Sequence, residues 1–232
     1  MTNEEVSNLH ASNIRGAYEK LINYCNEYLE DGRRKQVLEL FEKFKKRMIK
    51  DPASSKAWYH SCYVGGWIYH TVHVIELALK VYDLWNTEDI DLNIQKNSIV
   101  FSAIFHDFGK LGIEDEGYYV SQKSDWHRKK GMLYEFNPAL QYMQVPERSL
   151  FILQDNNIPV TMEETLAIKL SDGLYDDSNK AYLMPYSQNG QLKTLLPYII
   201  HQADLMAAQT ENYSEKTSKK VFITKVQHIF NR

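Results

Sequence analysis

Apolar residues recur along this chain mostly at helical spacing. Ile14, Tyr18, Leu21, Ile22, Tyr24, Cys25 and Tyr28 follow the three- and four-residue recurrence of an amphipathic helix, and Thr2 with Glu5 forms a capping-box pattern ahead of them. Residues 36–49 predict a second helix. Asp51-Pro52-Ala53-Ser54-Ser55 then interrupts the pattern, because a proline disfavours the helical region for the residue before it. That break divides the chain into an N-terminal helical extension, residues 1–50, and a core, residues 51–232, that includes a C-terminal helix. Within the core, residues 66–82, 94–107, 146–156, 161–170 and 192–209 read as helices, the fourth opening on a capping box of Thr161 and Glu164. Residues 112–126, with Tyr118-Tyr119-Val120 set among charges and glycine, suit an irregular loop or short hairpin, and residues 182–191 a second loop. The expected fold class is all-α, with the N-terminal helices packed on the core.

Composition narrows the function classes. With 232 residues the chain is long enough to bury a dry core, and its net charge of −3 disfavours stable binding of duplex nucleic acid while leaving room for a local basic cleft. Two cysteines, Cys25 and Cys62, without paired spacing, fit a reducing compartment and exclude a thiolate-rich zinc site. The N-terminal residues lack the basic and apolar regions of a signal peptide, and no apolar run approaches the roughly 18 residues that span a bilayer. The expected setting is the cytoplasm, with no membrane partner.

The chemistry concentrates at four positions. His106 and Asp107 end the apolar run Ile99 to Phe105 and precede Phe108-Gly109-Lys110. Neighbouring side chains on a helix diverge by about 100°, so these two converge on one ion only where the backbone leaves the helix, and Gly109 is the expected cause. His70 shares a helix face with the inward residues Val74, Leu77 and Ala78. Asp204 stands in a largely apolar helix, where an ionised carboxylate needs a pair or a cation. Two imidazoles and two carboxylates suit Mn, Fe, Co, Ni or Mg.

This order, a His on one helix, His-Asp at the end of the next and an Asp on a late helix, resembles the HD-domain superfamily of metal-dependent phosphohydrolases, and in particular the small HD proteins carried by bacteriophages. The resemblance spans roughly Trp58 to Glu211 and rests on His106-Asp107-Phe108-Gly109-Lys110, His70-Thr71-x-x-Val74 and Asp204. It implies an HD-type helical bundle and a metal site of His70, His106, Asp107 and Asp204. Tyr59-His60 through Gly65-Gly66 is also similar to the lead-in of HD-domain exoribonucleases and some plasmid-mobilisation proteins. Binuclear members add two histidines. His127 stands where the first is found, but Ser171 and Asp172 stand near the place of the second, so one tightly bound ion is the expectation and a second is left open.

Such a centre implies hydrolysis of a phosphoester by a metal-activated water. Lys110 is placed to neutralise a phosphate oxygen, and His73, just short of one turn from His70, to hold phosphate or donate to the leaving group. Trp126, Arg128, Lys129, Asp172, Tyr175 and Asn179 are the expected substrate-binding residues for a nucleotide; Tyr118, Tyr119 and Tyr134 are further stacking candidates. Plainer readings compete: His60 and His73 as packing or supporting residues, His127 as a loop residue, the basic run as a solvated face, and His10, His201 and His228 as structural. The expected substrate is a small phosphorylated molecule, a nucleoside mono- or triphosphate. The alternatives are a phosphodiesterase acting on nucleic-acid 3′ ends or cyclic nucleotides, an HD-type diiron oxygenase, and a non-catalytic nucleotide sensor. The apolar stripes of the first two helices suit packing either on the core or in a homo-oligomer.

Overall fold

The computed structural model describes the backbone of residues 3–187 and 190–230 and the side chains of residues 12–187 and 190–217. Thr2 and the side chains of His10 and His228 lie outside those bounds. Helices dominate, in the order α1 (Asn3–Tyr28), α2 (Asp31–Met48), α3 (Gly66–Trp85), α4 (Lys96–Phe105), α5 (Asp125–Lys129), α6 (Val145–Asp155), α7 (Met162–Lys169), α8 (Lys180–Leu183) and α9 (Leu196–Phe230). Strands β1 (Tyr119–Ser121) and β2 (Tyr134–Phe136) pair antiparallel, with Val120 opposite Glu135. The all-α expectation therefore holds. The hairpin is wider than expected, because the partner of Tyr119–Ser121 comes from beyond Trp126 and α5 fills the connection.

α4 is the central helix. Ile99 through Phe105 are all buried, as expected of a helix apolar on every side and packed on all of them. α3 and α9 lie together beside it, and α7 packs against both α4 and α9. α1 and α2 contribute Leu21, Phe41 and Met48 to the same continuous core, so the residues before Asp51 are an integral layer of it. Phe108, just after the His-Asp pair, docks into an aromatic cluster with Phe41, Phe44, Phe105 and Trp67 at centroid distances of 5.1–6.2 Å.

Residues 51–65 fold back over the start of α3. The Asp51 carbonyl accepts from the Trp67 amide at 3.0 Å and the Ser61 carbonyl from the Ala53 amide at 3.0 Å. This return needs Gly66, where an added Cβ would lie 1.9 Å from the Ser61 carbonyl oxygen. Asp51 itself is partly enclosed. Burial pushes its carboxyl up to about 7, against the pull of the Arg47 charge. The folded state therefore holds this proton more tightly than the unfolded chain, and stability falls as pH rises from about 4 through about 7. Asp51→Asn should remove roughly 2 kcal/mol of that loss, measured as a flatter dependence of melting temperature on pH.

Candidate metal centre

The histidine-aspartate pair converges through the backbone of Asp107. His106 keeps helical angles (φ −54°, ψ −40°), whereas Asp107 turns to φ −116°, ψ 11° and starts the 3-10 turn Phe108–Leu111. Three contacts hold that turn. The buried Trp67 indole donates to the Asp107 carbonyl at 2.9 Å, the Gly109 amide donates to Ser149 Oγ at 2.7 Å, and Phe108 fills the aromatic cluster. Gly109 has no left-handed backbone, which corrects the expectation that it breaks the helix. It is needed for close packing instead, since a Cβ there would stand 2.1 Å from the Val145 carbonyl oxygen of α6.

Four side chains meet beneath this turn. His70 Nε2 is 3.0 Å from Asp204 Oδ1 and 3.8 Å from Asp107 Oδ2, while His106 Nε2 is 3.7 Å and 3.5 Å from the same two atoms. The structure thus brings together His70, His106, Asp107 and Asp204 from three helices and one turn. Lys110 joins them, its ammonium 2.6 Å from Asp107 Oδ2.

The ring orientations are set from behind. His106 Nδ1 donates to the Ala103 carbonyl at 2.8 Å, which leaves the Nε2 lone pair facing the centre. His70 Nδ1 lies 3.2 Å from both oxygens of Glu211, a carboxylate on α9 that the sequence reading did not single out. Glu211 is buried and in turn accepts from Ser61 Oγ at 2.7 Å and pairs with His73 Nδ1 at 2.9 Å. Its place two turns beyond Asp204 was the available signal. A carboxylate behind a ligating imidazole typically supports metal affinity by 10–100-fold, so Glu211→Gln should weaken Mn²⁺ binding by about that factor, read by calorimetric titration.

The carboxylates and the imidazoles of the cluster hold one another's charges. Burial opposes a charge on His70, but Glu211 and Asp204 outweigh it and push its pKa up to about 10; Asp107 and Asp204 raise His106 likewise against burial. Asp107 is held low despite its burial by Lys110, then His106, and Asp204 is held low despite its burial by the two imidazoles. His106 Nε2 is nevertheless buried without a hydrogen-bond partner. An orphaned imidazole nitrogen facing two carboxylates fits a divalent cation, and the N/O donor set fits the harder transition ions and magnesium.

Other expected residues fall elsewhere. His127 lies on α5 with its ring edge-on to Trp126 at 4.9 Å, outside the ligand clusters found among the described residues. His73 stands behind Glu211, on the far side of His70 from Asp204, and borders a surface groove with Lys20, Tyr69 and Glu76, which corrects its placement in the metal cavity. Asn179 is fully buried and its amide closes the turn at the Gly173 carbonyl at 2.9 Å, so it is placed to hold the chain rather than a ligand. Arg128 directs its guanidinium to the Gln122 and Lys123 carbonyls and to Asp125, bracing the hairpin connection. Lys129 is exposed beside it, and Tyr175 is 82% exposed. Asp172 keeps exposed surface near the centre. Crowding around its carboxyl, then the Asp107 and Asp204 charges, push its pKa up. The turn that carries it is tied to α9 by His201, whose Nδ1 donates to the Ser171 carbonyl at 2.8 Å.

His60 is a second residue whose place only the structure gives. Its ring lies 4.4 Å from that of His70, and its Nε2 is buried without a partner. Burial, then the His70 and Lys110 charges, push its pKa down to about 3, so it is a neutral imidazole. Tyr119 of β1 approaches from the hairpin side. Burial pushes its hydroxyl up to about 12, partly countered by the Lys110 charge. Among the described residues no helix is long and apolar enough to cross a membrane. Compared with protein-family models, curated protein sequences and solved structures, the chain has no significant match in any of the three.

Proposed function

We propose that this chain is a metal-dependent phosphohydrolase of the HD type, acting on a phosphoester of a nucleotide. The observation that carries the reading is the convergence of His70 Nε2, His106 Nε2, Asp107 Oδ2 and Asp204 Oδ1 within 3.0–3.8 Å contacts, with one imidazole nitrogen orphaned. These four residues would hold one divalent ion, manganese, iron, cobalt, nickel or magnesium. The ion would polarise a phosphoryl oxygen and make a water acidic enough to attack near neutral pH.

The chain's own groups do the rest. Glu211 and the Ala103 carbonyl fix the two imidazoles with Nε2 inward, so no reorganisation is needed when substrate arrives. Lys110 keeps a positive charge at the Asp107 carboxylate, where it stabilises negative charge growing on a phosphate oxygen. Asp172, whose carboxyl pKa is pushed up by its crowded setting and by the Asp107 and Asp204 charges, is suited to exchange a proton with the substrate or leaving group. His73 acts through Glu211 and is a positioning residue.

Phosphate release tests the reading directly. The native protein with Mn²⁺ is expected to release phosphate from a member of a panel of ribo- and deoxyribonucleoside mono- and triphosphates, and to lose that activity in EDTA. Silence across the panel, together with a melting temperature unmoved by Mn²⁺, would overturn both the metal and the hydrolase.

A further inference from the structure

On the edge of His70 turned away from Asp204, the chain assembles donors that the first centre does not use. His60, His70 and Glu211 each offer one ligand atom, and these atoms all lie within 4.8 Å of one another, as do those of His70, His106 and Asp204. The two trios share only His70. Its imidazole turns Nε2 to Asp204 at 3.0 Å and Nδ1 to the two Glu211 oxygens at 3.2 Å each, so the trios stand on opposite edges of one ring. His60 lies against that ring at a centroid distance of 4.4 Å, with its Nε2 buried and without a hydrogen-bond partner. An imidazole nitrogen kept from water with nothing to bind is a costly group, and a cation satisfies it.

Glu211 is prepared for the same role. Ser61 Oγ donates to its Oε2 at 2.7 Å and His73 Nδ1 pairs with its Oε1 at 2.9 Å, which fixes the carboxylate. Its partners are imidazoles and a hydroxyl; among the described residues no lysine or arginine forms an ion pair with it. Glu211 also lines a cavity of about 490 Å³ together with Cys62, Tyr63, Leu133 and Glu215. That cavity gives a cation a way in past two carboxylates, and room for water at its remaining coordination positions.

We infer that His60, Glu211 and the Nδ1 edge of His70 form a second cation site, separate from the four-residue centre and suited to zinc or cobalt. Two imidazoles and one carboxylate with a position left for water are a zinc-type ligand set, whereas manganese and magnesium favour oxygen-rich sites. His127 and Asp172, the positions that the family resemblance brings forward for a second ion, belong to neither trio. With both sites loaded, His70 is bound through both nitrogens: the second ion takes the lone pair left by the Nδ1 proton, and that proton leaves to solvent. The site depends on the proposed metal centre only through the shared His70, and does not need the hydrolase.

Equilibrium dialysis of the full chain tests it, against Zn²⁺ kept by a chelating buffer at a free concentration too low to load single exposed histidines. The native protein is expected to bind two Zn²⁺ per chain. His60→Phe keeps a ring against His70 and removes the donor, so it should bind one Zn²⁺ and retain the rise in melting temperature that Mn²⁺ gives the native protein. Asp204→Asn should also bind one Zn²⁺, and lose it when His60→Phe is added. His60→Ala takes the place of His60→Phe if the larger ring misfolds. A single Zn²⁺ in the native protein that survives His60→Phe, or that either substitution abolishes, would overturn the second site, as would two Zn²⁺ in His60→Phe. A native protein with one Zn²⁺ that survives Asp204→Asn and is lost in His60→Phe would instead establish this site and remove the four-residue centre. No Zn²⁺ at all would overturn both.

Discussion

Asp204→Asn is expected to lower Mn²⁺-dependent phosphate release by about three orders of magnitude, the loss that follows when a cation supplying roughly 4 kcal/mol of transition-state stabilisation is no longer held. The same variant should lose the rise in melting temperature that Mn²⁺ gives the native protein, since a ligand stabilises only the state that binds it. Asp204 is a better probe than Asp107. Its partners in the centre are His70 and His106, and both rings can shed a proton when their carboxylate is neutralised. Removing Asp107 would instead leave the enclosed Lys110 ammonium without the carboxylate 2.6 Å away, and loss of fold would be mistaken for loss of chemistry. Turnover and metal-induced stabilisation that both survive Asp204→Asn would sink the four-ligand centre.

The second large effect is on stability. Arg33 of α2 forks onto the fully buried Glu164 of α7 with bonds of 2.9 and 2.5 Å, and its guanidinium lies 3.4 Å over the Phe101 ring of α4. Three helices are clamped by one side chain. Arg33→Ala strands a buried carboxylate and should cost about 3–5 kcal/mol, a fall in melting temperature on the order of 10 °C for a chain of this size. The double variant Arg33→Met with Glu164→Gln should recover much of that loss. Methionine fills the space, and glutamine keeps the capping box that Glu164 completes with Thr161. Chemical denaturation of the single and double variants checks both statements; a single variant within about 1 kcal/mol of native would refute the clamp. Burial opposes the Glu164 charge, but Arg33 holds its pKa below the ordinary value. The clamp therefore acts above the unfolded-state pKa and is lost as pH falls through the acid range.

Helices were legible because burial imprints a period on the chain. The stripe at Leu21 and Cys25, the unbroken run Ile99 to Phe105 and the Thr161–Glu164 box each state a local preference that packing then satisfied. The inward direction of His70 and the cost of burying Asp204 were readable for the same reason, since a polar residue on an apolar face needs a partner wherever that face packs. Short-range pattern could not say which atoms those partners would be. Glu211 supports His70 only because α9 runs beside α3, and Arg33 finds Glu164 only because α2 and α7 both pack toward α4. His106 and Asp107 converge because Trp67, Ser149 and the Phe108 pocket hold the turn, not because Gly109 loosens it. Trp58 meets Gly131 only because the hairpin connection folds back onto residues 55–57. Periodicity and burial cost are properties of a segment and are written in it. Convergence of side chains separated by scores of residues depends on how helices cross, and that is settled by the shapes of many buried groups packing at once.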